Sequence, residues 1–108
     1  MSDSRLAAGV EASAFLARAR DLGGFGTILR RGDAERGSLM LLLAERGKTR
    51  FLLQRLLQRN GGYAWESRES ADSESLDRLS RQASERDPDL WLIELDVPSP
   101  ERLIAELG

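Results

Sequence analysis

Thr49-Arg50-Phe51-Leu52-Leu53-Gln54-Arg55-Leu56-Leu57-Gln58-Arg59 admits two readings. The leucine pairs at 52/53 and 56/57, with polar residues between them, have the spacing of one helix face, and Asn60-Gly61 makes a good helix stop. The same Asn60-Gly61, lying between apolar segments, is also the strongest short hairpin signal, and Tyr63-Ala64-Trp65 follows as a strand. Periodicity alone favours the helix. The choice decides whether the middle of the chain adds a strand to a sheet or a layer on top of it.

The segments on either side are less ambiguous. Ser38 to Glu45 is apolar at odd positions (Leu39, Leu41, Leu43) and at even ones (Met40, Leu42, Ala44), as expected of a strand covered on both faces and placed at the sheet centre. Before it, Phe25 to Arg30 alternates as a strand and Arg31 to Gly37 forms a polar connection. Ala12, Phe15, Ala19 and Leu22 define a helix from Val10 to Leu22, stopped by Gly23-Gly24. After the ambiguous stretch, residues 66 to 87 are crowded with Ser, Glu, Asp and Arg. Leu76, Leu79 and Ala83 mark a surface helix there, with Ser70, Asp72 or Ser73 as its cap and Glu74/Arg78 and Asp77/Arg81 as i,i+4 pairs. Asp87-Pro88-Asp89 ends it. Leu90 to Val97 alternates as a strand with one apolar face. Ser99-Pro100 then opens a terminal helix with Leu103, Ile104 and Leu107 inward.

Composition narrows the chemistry. The 108 residues carry 16 basic and 18 acidic side chains, for a net charge of −2, and no His or Cys. Ser-His-Asp triads, thiol nucleophiles, disulfides and the usual zinc sites are therefore excluded. Lys48 is the only lysine beside fifteen arginines. An overall acidic balance argues against a dedicated nucleic-acid binder. The longest apolar run, Leu39 to Ala44, falls far short of the roughly 20 residues that span a bilayer. Met1 to Arg5 does not read as a secretory signal, so a cytoplasmic location is expected.

Each motif has a bland reading beside the sharp one. Gly47-Lys48-Thr49 ends like a phosphate loop, but the first glycine of GxxxxGK[ST] would fall at Leu42, and a hairpin turn explains it better. Gly23-Gly24-Phe25-Gly26 ends a helix instead of opening one, so it is no dinucleotide fingerprint. Arg30-Arg31, joined by Arg5, Arg36 or Arg50, could clamp a small anionic ligand, or could simply be solvated turn charges. Asp33, Glu45, Asp87, Asp89, Glu94 and Asp96 lie at strand ends or on exposed strand faces and offer the one route to metal-assisted hydrolysis. The element order loosely resembles restriction-type nuclease cores, but Glu45 and Lys48 are three apart where such a site wants two. Trp91 belongs to the core. Trp65 is either core or, if exposed, an anchor for a protein partner.

Taken together, Arg5-Leu6, the first helix, a strand running into Arg30-Arg31-Gly32-Asp33, an apolar strand, a hairpin, an aromatic strand and Asp87-Pro88-Asp89-Leu90-Trp91 resemble a small bacterial family, the domain of unknown function numbered 1491. The resemblance covers nearly the whole chain, with Asp87 to Trp91 its most specific piece. It implies a compact α/β unit and makes Thr49 to about Leu57 a strand, against the periodicity. The expected architecture is a single domain over residues 1–108, of α/β class and α+β type, ordered α-β-β-β-β-α-β-α, its sheet mainly antiparallel and packed by helices. The expected function is a non-enzymatic cytoplasmic interaction or regulatory module, with a metal-dependent phosphoesterase or nuclease as the alternative. Arg5, Arg30, Arg31, Trp65, Asp87 and Asp89 are the expected binding residues. No catalytic residue, metal, cofactor, membrane contact or oligomeric state is assigned.

Overall fold

Leu39–Glu45 is buried along its whole length except for its last residue, and this strand organises the molecule. The computed structural model describes residues 6–107. In chain order the elements are α1 (Ala8–Asp21), β1 (Phe25–Arg30), β2 (Leu39–Glu45), β3 (Lys48–Leu57), β4 (Tyr63–Glu69), α2 (Ser73–Arg86), β5 (Trp91–Asp96) and α3 (Pro100–Leu107). This is the expected α-β-β-β-β-α-β-α order, folded as a single α+β domain.

The five strands lie in the order β1-β5-β2-β3-β4. β2 is thus the central strand, parallel to β5 and antiparallel to β3. β1 pairs antiparallel with β5, and β4 antiparallel with β3. Alternation sorts the side chains onto two faces. Leu39, Leu41 and Leu43 join Ile93 and Leu95 under α1 and α3, while Met40 and Leu42 join Leu52 and Leu92 under Leu76 of α2.

The same two-sided burial explains why periodicity misleads at Thr49–Arg59. Leu53 enters the α1 side and Leu52 the α2 side, so adjacent leucines serve opposite faces of a strand and mimic a helical pair. A bulge opposite Leu43/Ala44 inserts Arg50. Thr49 reaches Asp77 of α2, whereas Arg50 turns to Glu101 of α3 and lies over the Phe51 ring. β4 is longer than its aromatic start implies. It runs to Glu69, because a strand exposed at nearly every position can be polar throughout.

Local chemistry ends the elements as expected. Gly23 at φ +91° follows α1, its N–H and that of Gly24 donating to the carbonyls of Arg20 and Ala19. Arg46 and Gly47 both have positive φ, giving the two-residue hairpin turn between β2 and β3. Of Ser70, Asp72 and Ser73, it is Asp72 that caps α2, accepting from the N–H groups of Glu74 and Ser75. The i,i+4 ion pairs expected on α2 do not form. Asp77 instead accepts from Thr49 Oγ1 at 2.9 Å, and the arginines that pair do so mostly across elements: Arg18 with Glu106, Arg50 with Glu45, Glu69 and Glu101, Arg55 with Glu11.

One topological fact positions the site. β4, α2 and β5 form a β-α-β crossover that passes over β3 and β2. α2 accordingly packs chiefly on β3 and less on β2 and β5. The β1 side of that face lies beyond the crossover helix, and Phe25 and Leu29 are exposed at 57% and 49%.

Candidate functional site

The margin left by α2 is a cleft of about 520 Å³ between that helix and strands β1, β5 and β2. Leu42 and Leu92 form its floor, and Leu29 stands at its outer wall. Leu29 is the extra residue of a bulge between Ile28 and Arg30, so it and Arg30 both border this cleft. Arg30 closes one end. Its Nη1 donates to Ser84 Oγ at 2.6 Å and to the Ser84 carbonyl oxygen, one of the carbonyls near the C-terminus of α2, where a cation is favoured.

Glu94 is the group that distinguishes the cleft. It lies half-buried on β5, in register with Thr27 on one side and Leu42 on the other. Burial pushes its carboxyl above the usual range, and the carboxylates of Asp96 and Asp77 push it the same way. Those two have donors. Asp96 accepts from the N–H groups of Arg46 (3.1 Å) and Gly47 (2.8 Å), and Asp77 from Thr49. Among the described residues no hydrogen bond or ion pair engages the Glu94 carboxylate. An apolar floor with one poorly compensated acid is a polar anchor point for a cationic or hydrogen-bond-donating group.

Of the six residues expected to bind a ligand, the five that are described are not gathered at one site. Arg5 lies outside the described residues. Arg30 turns to α2, while Arg31 stacks its guanidinium 5.3 Å from the Trp91 ring, which belongs to the α1 side. Trp65 stands near the opposite sheet edge, half-buried. It meets Phe15 edge to face at 5.7 Å, with the Arg55 guanidinium 4.8 Å above its own ring. Asp87 accepts from the Asp89 N–H, and the Asp89 carbonyl accepts from Asp33 N–H. The Asp33 carbonyl in turn accepts from Trp91 Nε1 at 2.7 Å. A Cβ on Gly32 or Gly37 would land on the Asp89 carbonyl oxygen. Arg30-Arg31-Gly32-Asp33 and Asp87 to Trp91 are thus two halves of one structural clasp.

The strand-end acids are similarly engaged. Asp33 accepts from the N–H groups of Glu35 and Arg36, and those bonds, that to Arg36 foremost, hold its carboxyl below the usual range. Glu45 pairs with Arg50. Among the described residues no group of three or more acidic side chains is placed to hold a metal ion. Gly47 ends the hairpin turn with its amide donating to Asp96, and Lys48 and Thr49 begin β3, Lys48 exposed. Glu94 was readable from sequence only as one of six scattered carboxylates. What singles it out is the course of α2, which no local pattern encodes.

These features define a class: a three-helix α+β domain with a mixed, open five-stranded sheet and a cleft beside its crossover helix. The chain belongs to a family described as a protein of unknown function, DUF1491, whose model matches residues 6–105. It is similar to a DUF1491 family protein from Caulobacter crescentus CB15. The crystal structure of that protein superposes with a TM-score of 0.80 at 26% identity, covering 89% of this chain and 92% of that one. An NMR structure of a DUF1491 family protein from the same organism gives 0.76 at 25% identity, with 91% of each chain covered. The solution structure of Atu0922 from A. tumefaciens shares the fold, with a TM-score of 0.73 at 22% identity over 89% of each chain. No curated protein matches. Among the described residues no helix is long and apolar enough to cross a membrane.

Proposed function

We propose that this chain is a non-enzymatic, cytoplasmic interaction module whose cleft between α2 and β1 receives an apolar segment of a partner protein carrying a basic side chain. The observation that carries this reading is Glu94, half-buried above Leu42 and Leu92 with no donor of its own. An apolar side chain would rest on the two leucines and against Leu29, and a lysine or arginine would supply the missing donor to Glu94. The same arrangement favours a cation over an anion, since Asp77, Glu85 and Glu94 line the cleft against Arg81, and Arg30 is drawn to Ser84. Catalysis has less support, because Asp33, Asp87 and Asp96 serve backbone amides and Glu45 pairs with Arg50.

Selection from a random peptide library displayed on phage tests the reading. Wild type is expected to enrich apolar sequences containing Lys or Arg, and Glu94→Lys to lose them in favour of acidic ones. Amide shifts on adding a selected peptide should centre on Leu29, Leu92 and Glu94. Enrichment of the same sequences by wild type and Glu94→Lys would overturn the proposal.

A further inference from the structure

We propose that β1 is the contact strand of a symmetric dimer of this chain, two copies pairing antiparallel about Thr27 to make one continuous ten-stranded sheet. The two sheet edges differ in chemistry. β4 carries Glu66, Arg68 and Glu69 along its length, and charges of this kind are how an edge strand avoids adding another strand. β1 has no charged residue from Phe25 to Leu29, and among the described residues it pairs with β5 alone. Its outer edge therefore offers unpaired backbone N–H and C=O groups beside exposed apolar side chains.

Side-chain parity selects the partner. Phe25, Thr27 and Leu29 alternate on the exposed side of the strand, while Gly26 and Ile28 alternate on the other. Centring an antiparallel pair on Thr27 sets Phe25 of each copy opposite Leu29 of the other, and Gly26 opposite Ile28. A shift of one residue would oppose the two faces. Centring on Gly26 would leave both Leu29 side chains unmatched. The strand is thus complementary to itself in one register, and that register covers its two large exposed apolar residues. A stable interface buries about 800 Å² on each partner. A six-residue strand with two apolar side chains buries less, which places this dimer in the weak class, with a dissociation constant of roughly micromolar or above. The two clefts would then open on the same face of the joined sheet.

The absence of cysteine makes the test direct. Thr27→Cys places one thiol at the two-fold centre, opposite its own copy at about 5 Å between Cβ atoms, and Ser67→Cys places one on the other edge strand. Both positions are exposed. A short thiol–thiol cross-linker is expected to dimerise Thr27→Cys many times faster than Ser67→Cys. Sedimentation equilibrium of the wild-type chain should show a mass rising above 12.0 kDa between micromolar and millimolar concentration, and Phe25→Lys should hold it there. A wild-type chain monomeric throughout, equal cross-linking at the two positions, or a dimer that Thr27→Cys does not trap would each overturn the proposal. These readouts use the chain alone, so they stand or fall separately from the peptide-binding reading.

Discussion

Glu94 and Arg55 show how differently two charged side chains can be accommodated by neighbouring layers of one sheet. Because burial first, then Asp96 and Asp77, raise the Glu94 carboxyl above its unfolded value, the folded state binds that proton more readily than the unfolded chain does. Folding stability is therefore greatest below the ordinary glutamate range and is lost as pH rises through the raised value. Glu94→Gln removes the penalty. Its thermal midpoint should exceed that of wild type at neutral pH, and the difference should close as pH falls into and below the ordinary glutamate range; a pH-independent difference would sink this account. Arg55 and Glu11 instead form a bidentate pair at 2.7 and 2.9 Å, with side chains only 12% and 13% exposed. Arg55→Leu strands the Glu11 carboxylate and removes the guanidinium from the Trp65 ring. A loss of about 3 kcal/mol in urea unfolding is expected. The double variant Arg55→Leu/Glu11→Leu should recover to within about 1 kcal/mol of wild type, because two apolar side chains satisfy each other where one charge cannot.

At the scale of elements, α2 is held at its start by Asp72, which accepts from two first-turn amides at 3.1 and 3.3 Å. Asp72→Ala should cost about 1 kcal/mol and lower the thermal midpoint by about 4 °C, with the sheet's amide pattern otherwise retained. Elements were legible from the chain wherever one residue's neighbours in sequence decide its state. Gly23, Asn60-Gly61, Asp72 and Pro100 mark boundaries through their own conformational chemistry, and all lie where the structure turns. The stretch from Thr49 was not legible from periodicity, because Leu52 and Leu53 are buried on opposite faces and a strand between two layers loses its alternation. The five described residues of the expected binding set are spread apart for a related reason. Arg30 and Arg31 are adjacent in sequence, yet their guanidiniums reach Ser84 on one side of the sheet and Trp91 on the other. Trp65 stands near the far edge, and Asp87 and Asp89 are spent on the turn that starts β5. Proximity in sequence implied a cluster, and the pleat with its bulge dispersed it.

The molecule as a whole is closed by a strand that arrives late in the chain. β1 and β2 are laid down first, but they do not pair with each other; the position between them is filled by β5, which contributes Trp91, Ile93 and Leu95 to one core and Leu92 to the other. Until β5 is in place β1 has no ladder partner, and β2 has only β3. Cooperativity therefore rests on contacts separated by about half the chain or more, which slows folding relative to a helical bundle of similar size. A fragment ending at Arg86 should retain the hairpins β2–β3 and β3–β4 at most. It should lack a cooperative urea transition and a near-ultraviolet circular dichroism signal, since hairpins without a covered face are marginal in water. Adding a peptide of residues 87–108 should restore both, because that peptide carries β5 and α3 and with them the Asp87 to Trp91 half of the clasp. Binding of the peptide should protect β1 amides as strongly as those of β2. Protection confined to β2 and β3 would show that β1 gains its order from α1, and that the inserted strand is an accessory rather than the closure of the fold.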